Sequence, residues 1–280
     1  MKIFKNNLDL FQWKKNNINK EIALIPTMGA LHKGHLSLVK AAKKECEEIV
    51  VSIFINKLQF GPDEDFKKYP RTLEQDITLL KKEKINVLYL PSPKEIYPQQ
   101  MSFQINEVNI SQYLEGACRP DFFSGVLMVV LKLFNLVQPT HVYFGQKDIQ
   151  QLCVIKKMIS ELNFPIIIRG CKTIRDKNGL AMSSRNQYLS IPEKEDASII
   201  YKILKKSEYL INKGEKINNV KTYIKRKLTN EKIKIDYISI ADINTFKELD
   251  VLNKNIKIVI SVAVWYRSIR LMDNIIIKKK

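Results

Sequence analysis

The sequence has few cysteines and histidines, and it lacks long hydrophobic runs. Its 280 residues contain four cysteines, with no pair at Cys-x-x-Cys spacing. This pattern favours reduced thiols in the cytoplasm over a disulfide framework or a zinc site. No apolar run approaches the roughly 18 residues of a membrane span, and the N-terminal residues turn polar too early for a signal peptide. We therefore predict a soluble, cytoplasmic protein.

Arginine is scarce although the chain is strongly basic. The net charge is +18, and 39 of the 47 basic residues are lysine. Dedicated nucleic-acid-binding proteins rely on arginine for forked contacts with phosphates and bases, so this ratio argues against that class. Residues 201–280, the basic C-terminal region, carry 19 basic and 8 acidic residues, a net charge of +11. We interpret this region as a solvated surface, with contact to RNA or to a membrane as the alternative.

Short apolar runs alternate with amphipathic stretches over the first two-thirds of the chain. This alternation is typical of strands joined by helical crossovers on a parallel sheet, so it predicts a Rossmann-like, doubly wound α/β domain. The predicted strands are residues 21–25, 49–55, 86–90, 141–144 and 165–170. The predicted helices are residues 35–48, 72–84, 126–137 and 148–162, with Thr72 as the N-cap of the second.

The pattern changes near Ser183. Two Lys-rich helical stretches, residues 193–212 and 218–229, are followed by three strand-like segments, residues 235–240, 256–265 and 270–277. This order predicts a smaller C-terminal α+β domain. We place the boundary between residues 182 and 183, which gives domains of residues 1–182 and 183–280.

The first predicted strand runs into a turn rich in glycine and histidine, Pro26-Thr27-Met28-Gly29 followed by His32-Lys33-Gly34-His35. In an open parallel sheet, ligands bind beyond the carboxyl ends of the strands. The glycines allow a tight turn and a close approach to a ligand. The start of the following helix offers free N–H groups to an anion. The segment therefore predicts a phosphate site.

His32 and His35 are three residues apart, so both imidazoles can face the same side of the turn. There they could hydrogen-bond phosphate oxygens and stabilise charge that develops during phosphoryl or nucleotidyl transfer. The alternative is a structural or metal-binding pair. Because the chain has only three histidines and no carboxylate at zincin spacing, we expect no protein metal site.

A second polar segment, Met182-Ser183-Ser184-Arg185-Asn186, lies close to the predicted domain boundary. Its hydroxyl and guanidinium groups can donate to the oxygens of a triphosphate. Taken alone, the segment is more typical of a polar loop between domains. Together with the histidine turn it resembles the two-part signature of the nucleotidyltransferase and class I tRNA-synthetase superfamily, in which a mobile loop closes over the phosphates.

Over nearly its whole length the chain resembles the pantoate–β-alanine ligase family. The matching segments are residues 26–35, 51–56 with Gln59-Phe60, 69–71, 114–116 with Arg119-Pro120, 132–135, 144–148 with Gln150-Gln151, 179–186 and 270–274. The resemblance implies a two-step reaction. The carboxylate of pantoate attacks the α-phosphate of ATP to give pantoyl adenylate and pyrophosphate, and the amine of β-alanine then displaces AMP.

The resemblance also implies roles for individual residues. The implied ATP-binding residues are Met28, Gly29, Ala30, Leu31, His32, Lys33, Gly34, His35, Gly145, Gln146, Lys147, Asp148, Ile174, Met182, Ser183, Ser184 and Arg185. His35 would be the catalytic proton donor that assists the departure of pyrophosphate. Gln59 and Gln151 would bind pantoate, Gln59 would also contact β-alanine, and Asn56 would orient the acid.

Further expectations concern the assembly and the metal. The resemblance implies a homodimer, with ATP as substrate and Mg²⁺ bound through its phosphates. Residues 1–182 would bind ATP and pantoate, and residues 183–280 would form a lid-like domain. We expect no membrane partner, and a nucleic-acid partner only if the basic C-terminal region binds RNA.

The chain departs from the family pattern at several positions. Lys57 replaces Pro, Asp121-Phe122-Phe123 replaces Gly-His-Phe, Met128 replaces Thr, Gln146 replaces Glu, Asn178 replaces Asp and Arg267 replaces Gly. Phe122 and Met128 are expected closest to the site, so substrate affinity or rate could be altered in an otherwise active enzyme. The alternative function is a nucleotidyltransferase that leaves the nucleotide on its product; Gln59, Gln151 and residues 144–148 argue against it.

Overall fold

A six-stranded parallel sheet forms the centre of the first part of the chain. The computed structural model describes residues 1–62, 64–98, 101–252 and 256–278. Strands β1 to β6 are Lys2–Phe4, Ile22–Thr27, Glu48–Ile53, Val87–Tyr89, His141–Gly145 and Ile167–Cys171, and their order in the sheet is β1-β4-β3-β2-β5-β6. The first four residues of β2 and the first five of β3 are fully buried, as expected of central strands covered on both faces.

Helices cover both faces of this sheet. Helices α1 to α7 are Asn7–Lys15, Lys33–Ala42, Leu73–Lys82, Pro93–Ile96, Leu114–Cys118, Phe122–Val137 and Ile149–Glu161. Helices α1, α6 and α7 supply one hydrophobic cluster, and α2 and α3 supply a second cluster on the other side. Helix α6 is almost wholly apolar and is followed by its C-cap Gln138, which adopts a left-handed conformation with φ 47°. The doubly wound fold is therefore confirmed.

A second, antiparallel sheet follows in the C-terminal third. Helices α8 to α10 are Ile191–Ala197, Ile199–Asn212 and Ile217–Asn230, and strands β7 to β9 are Lys234–Asp242, Lys257–Tyr266 and Ile269–Lys278 in the order β7-β8-β9. Helices α9 and α10 bury one face each against this sheet and form its hydrophobic cluster. The predicted α+β character is confirmed, whereas the boundary at residue 182 stays a prediction. Within the described ranges, no helix is long and apolar enough to cross a membrane.

Several predicted elements need correction. Strand β1 and helix α1 were not predicted, and α2 ends at Ala42, six residues before the predicted end, because β3 already begins at Glu48. The predicted helix over residues 193–212 is two helices, separated at Ser198. Thr72 does precede α3, but its hydroxyl donates to the carboxylate of Asp76 (3.2 Å) and makes no capping bond.

Candidate active site

The sheet order creates a crevice between two neighbouring central strands. From β2 the chain continues to β3 on one side, and from β5 it continues to β6 on the other. Ligands of open parallel sheets bind at such a switch point, beyond the carboxyl ends of the strands. A cavity of about 1780 Å³ opens there. Its lining includes these residues implied by the resemblance: Met28, His32, Gly34, His35, Gln59, Gly145, Lys147, Asp148, Gln151, Ile174, Met182, Ser183, Ser184 and Arg185.

Five of the implied ATP-binding residues do not line this cavity: Gly29, Ala30, Leu31, Lys33 and Gln146. The Lys33 side chain is exposed, and the Gln146 amide donates to the carbonyl of Gly170 (3.2 Å). Ala30 and Leu31 are buried, and their N–H groups point to a carboxylate of the protein. Ala30 and Leu31 therefore support the turn from within the protein, whereas Lys33 lies on the surface outside the cavity lining.

Asp76 fixes the turn that precedes the histidines. Its carboxylate, 1% exposed, accepts hydrogen bonds from the N–H groups of Ala30 (2.9 Å) and Leu31 (2.8 Å). Gly29 and Ala30 have φ values of 80° and 49°, a region that glycine enters readily and alanine rarely. A buried carboxylate with two charge-assisted hydrogen bonds offsets the strain of this conformation. Sequence reasoning missed Asp76, because its partners lie 45 and 46 residues away.

The two histidines form a capping box at the start of α2. Nδ1 of His32 accepts the N–H of Gly34 (3.1 Å), and Nδ1 of His35 accepts the N–H of His32 (3.3 Å). The rings stack with centroids 4.1 Å apart. Because Nδ1 accepts in both rings, the proton of each neutral imidazole resides on Nε2. Both rings line the cavity, so the pair can offer two N–H donors to phosphate oxygens.

The electrostatic environment keeps both histidines neutral. Burial, with a smaller contribution from the Lys147 ammonium, lowers the pKa of His32 to about 4. Burial also lowers the pKa of His35 well below its usual value, and His32 and Lys147 lower it further. Desolvation disfavours the charged imidazolium in each case. A neutral His35 imidazole can act as a hydrogen-bond donor through Nε2.

The segment Met182–Arg185 packs directly on the histidine turn. The hydroxyl of Ser184 donates to the carbonyl of Ala30 (3.1 Å), and Cβ of Met182 lies 3.7 Å from the position a Cβ would take at Gly34. Arg185 makes a forked ion pair with Asp65, with Nε 2.9 Å and Nη2 2.7 Å from the carboxylate oxygens. Asp65 also lines the cavity and is a second acidic residue that sequence reasoning missed.

Gln59 lines the cavity, and we call the part of the cavity around it the acid end; Asn56 lies behind it, outside the cavity lining. The Gln59 amide donates to the sulfur of Met28 (3.2 Å) and accepts from Nδ2 of Asn56 (3.2 Å). Asn56 is 1% exposed, and its amide also donates to the carbonyl of Gly125 (3.0 Å) and accepts from the Tyr97 hydroxyl (2.9 Å). Asn56 is therefore held among protein groups and reaches the cavity through Gln59.

Two departures from the family pattern do lie at this end. Phe122 lines the cavity beneath the guanidinium of Arg119, whose Cζ is 3.8 Å from the ring centroid. Met128, 7% exposed, lines the cavity as well. Arg119 in turn donates to the carbonyl of Gln59 (3.0 Å). A phenylalanine at position 122 thus packs against the charged group that supports Gln59.

Comparison with known proteins identifies close relatives. The family model described as pantoate-beta-alanine ligase matches residues 2–276. The chain is 44% identical over 280 residues to a pantothenate synthetase of Thermosipho melanesiensis, covering 99% of each chain. It is 43% identical over 269 residues to one of Clostridium botulinum, covering 95% of this chain and 94% of that one.

Solved structures agree with this result. A pantothenate synthetase from Thermus thermophilus superposes with a TM-score of 0.91 at 35% identity, covering 98% of this chain and 99% of that one. A pantoate-beta-alanine ligase from Francisella tularensis, complexed with beta-gamma ATP and beta-alanine, gives a TM-score of 0.84 at 35% identity, with coverage of 98% and 97%.

Proposed function

The chain belongs to the pantoate–β-alanine ligase family, and we propose that it joins pantoate to β-alanine with ATP, releasing AMP and pyrophosphate. One observation carries the proposal. The histidine pair, Lys147 and the segment Met182–Arg185 line the same switch-point cavity as Gln59 and Gln151. Donors suited to a polyphosphate and amides suited to a small acid are thus brought together.

In the first step, a carboxylate oxygen of pantoate attacks the α-phosphorus of ATP, and the bond from that phosphorus to the β-phosphate oxygen breaks. Negative charge grows on the departing pyrophosphate. His35 and His32 donate hydrogen bonds from Nε2, and Lys147 and Arg185 supply positive charge. Donors that are fixed before the reaction act strongly on developing charge, because they need no reorganisation when it forms. Gln59 and Gln151 orient the acid.

In the second step, the amine of β-alanine attacks the acyl carbon of pantoyl adenylate. The carbon–oxygen bond to AMP breaks, and the nitrogen loses a proton as the amide forms. We propose that Gln59 contacts β-alanine as well as pantoate, as the resemblance implies. It lines the cavity, and its amide is held by Asn56 and Met28. The position of its amide is set before any substrate enters, which lowers the entropy cost of alignment.

Mg²⁺ enters this scheme as part of the substrate, Mg-ATP. The described residues contain no group of three or more His, Cys, Asp or Glu side chains placed to hold a metal ion. Asp148 lines the cavity beside Lys147 (3.5 Å), so one carboxylate is available near the phosphates. Mg²⁺ commonly binds through phosphates and one or two carboxylates, and the residues present fit that mode.

We also propose a cytoplasmic homodimer. The family resemblance supports the dimer, and the requirement for ATP supports the location. Size-exclusion chromatography with light scattering measures the oligomeric state directly, and a monomer at micromolar concentration would refute the dimer.

The test of the function is release of pyrophosphate and AMP from Mg-ATP and pantoate, with and without β-alanine. We expect pyrophosphate with pantoate alone, and AMP with pantothenate once β-alanine is added. A product that retains the nucleotide would identify a nucleotidyltransferase. The absence of any turnover that depends on pantoate would refute pantoate as the acid substrate. The side chains of Phe122 and Met128 would then be the first to examine for an altered acid site.

A further inference from the structure

The segment Arg270–Asn274 of strand β9 matches the family pattern, yet the resemblance gives it no role. It belongs to the antiparallel sheet. Its three polar side chains, Arg270, Asp273 and Asn274, nevertheless bond to groups outside the strand's own ladder. The hydrogen bonds of each side chain connect it to a different part of the candidate active site.

Asn274 contacts the ATP end. Its Nδ2 donates to the carbonyl oxygens of Gln146 (3.1 Å) and Lys147 (2.7 Å), and the residue is 6% exposed. The amide has two protons, so both are used. These two bonds fix the peptide groups of the turn that directs the Lys147 side chain and Asp148 into the cavity.

Asp273 contacts the base of the Met182–Arg185 segment. Its carboxylate accepts a forked pair of hydrogen bonds from Arg175, at 2.5 and 2.9 Å. Arg175 also donates to the carbonyl of Gly179 (3.1 Å) and forms a β-bridge with Ala181. Since Ala181 directly precedes Met182, the pair anchors the hairpin from which that segment extends.

Arg270 lines the cavity and is connected to the acid end through Glu115. Its Nη1 and Nη2 lie 2.8 and 2.9 Å from the carboxylate oxygens of Glu115, which is 3% exposed. Burial opposes ionisation of Glu115, but the Arg270 guanidinium outweighs it and holds the pKa of this carboxyl below its usual value. The same carboxylate approaches Arg119 (3.4 Å). Arg119 is paired more closely with Glu64 (2.5 and 2.6 Å) and donates to the carbonyl of Gln59 (3.0 Å).

We propose that Arg270, Asp273 and Asn274 are positioning residues, through which one strand of the C-terminal sheet fixes three substrate-binding segments relative to each other. The inference rests on the proposed function. The reacting atoms must be aligned to well within about 1 Å, so the spacing of these segments governs the rate. Asn274 acts on the ATP end and Arg270 on the acid end, and substitutions in the same strand therefore have different kinetic effects.

The test compares Asn274→Ala with Arg270→Lys. Asn274→Ala loses two hydrogen bonds to the ATP turn, so we expect the KM for Mg-ATP to rise about tenfold and that for pantoate to change little. Arg270→Lys loses the forked contact with Glu115, so we expect the KM for pantoate to rise about tenfold and the KM for Mg-ATP to change little. Ile275→Val is the matched control, because Ile275 lies on the same strand and packs in the C-terminal cluster; both its KM values should stay within about twofold of wild type.

Two further measurements keep the test decisive. If Arg270→Lys does not fold, Glu115→Gln preserves the shape of the carboxyl and removes its charge, and it should also raise the KM for pantoate selectively. Calorimetric titration of Asn274→Ala with Mg-ATP alone measures the ATP end without turnover. The inference would be overturned if each variant changed both KM values equally or changed neither. An active wild-type enzyme would still support the proposed function. An inactive wild type that still binds Mg-ATP more tightly than Asn274→Ala would overturn the function alone.

Discussion

The imidazole of His35 illustrates how a single residue combines structure with chemistry. Its Nδ1 accepts the N–H of His32 and completes the cap of α2, which leaves Nε2–H as a donor to the cavity. The side-chain oxygen of an Asn lies about where Nδ1 lies and can accept the same N–H, but Asn places no donor where Nε2 lies. The capping and donor functions of the residue can therefore be separated by substitution.

We expect His35→Asn to lower kcat by about 100-fold, the range found when one fixed donor to developing charge is removed. The KM for ATP should change much less, because Lys147, Arg185 and the serines remain. Lys40→Ala is the control, since Lys40 is an exposed residue of the same helix outside the cavity lining. Steady-state kinetics of the three proteins measures the split; an equal loss in the two variants would contradict the prediction.

His32 makes stability depend on pH. Its pKa is about 4 in the folded protein and near 6.5 in an unfolded chain. Between these values the unfolded chain binds more protons, so stability falls as pH falls through this window. We expect wild type to lose about 1 kcal/mol more than His32→Asn between about pH 7.5 and 5.5. Urea unfolding at both pH values measures the difference, and parallel losses in the two proteins would refute this assignment.

At the scale of elements, the contact of α6 with the 3₁₀ turn Lys57–Gln59 positions Gln59 at the acid end. Gly125 of α6 allows this approach, because a Cβ there would overlap the carbonyl oxygen of Leu58 and lie 2.8 Å from the backbone nitrogen of Gln59. The turn must move away if any side chain is added. Gln59 moves with it.

We therefore expect Gly125→Ala to raise the KM for pantoate about tenfold or more, with a smaller effect on ATP, and to destabilise the fold by about 1–3 kcal/mol through overpacking. Gly61→Ala is a suitable comparison, since a Cβ at Gly61 would lie 3.5 Å from its nearest neighbour, a carboxylate oxygen of Glu64. Kinetics and thermal unfolding of both variants test the expectation. Similar KM values in the two variants would show that the turn is not a rigid support.

The β8–β9 hairpin contains one departure from the family pattern. Arg267 lies in this turn with φ 55°, a left-handed conformation that costs a side-chain-bearing residue about 1–2 kcal/mol. Its ion pair with Glu193 involves a side chain that is 70% exposed and contributes little. The glycine typical of the family suits this backbone better.

We expect Arg267→Gly to raise the unfolding free energy by about 0.5 kcal/mol, after the extra entropy of glycine in the unfolded chain is deducted. Arg267→Ala separates the two effects, because it removes the ion pair and keeps the unfavourable φ. Thermal unfolding should rank Gly above both Arg and Ala. A Gly variant less stable than Ala would mean that the turn is unstrained.

At the scale of the whole molecule, the buried patterns could be predicted and the long-range polar contacts could not. The apolar runs of β2, β3 and α6 face the core on most sides, so their periodicity predicts them well. Helix α1 buries few of its residues while Leu8 is 74% exposed, and β1 has three residues; neither gives a periodic signal. Asp76, Asp65 and Glu115 have partners 45 or more residues away, which one sequence cannot reveal.

Most of the site residues that the resemblance implies do line the cavity. The resemblance did not separate residues on the cavity surface from those behind it. Ala30 and Leu31 immediately precede His32 in the motif, yet their N–H groups donate hydrogen bonds to the carboxylate of Asp76. The direction of a backbone N–H depends on the turn conformation, here on φ values of 80° and 49° at residues 29 and 30, which motif spacing does not specify.

The net charge of +18 is the remaining property of the whole chain that needs a test. Lysine-rich surfaces bind polyanions non-specifically. Their affinity falls steeply as the salt concentration rises, because the release of counterions from the polyanion then gains less entropy. Because arginine is scarce, we expect weak binding of a short RNA at about 50 mM salt and none at about 150 mM. Lys221, Lys225 and Lys227 of α10 lie outside the cavity lining, so Mg-ATP should not compete. Fluorescence polarisation with labelled RNA measures both points, and submicromolar binding at the higher salt would instead make the basic C-terminal region a specific RNA-binding surface.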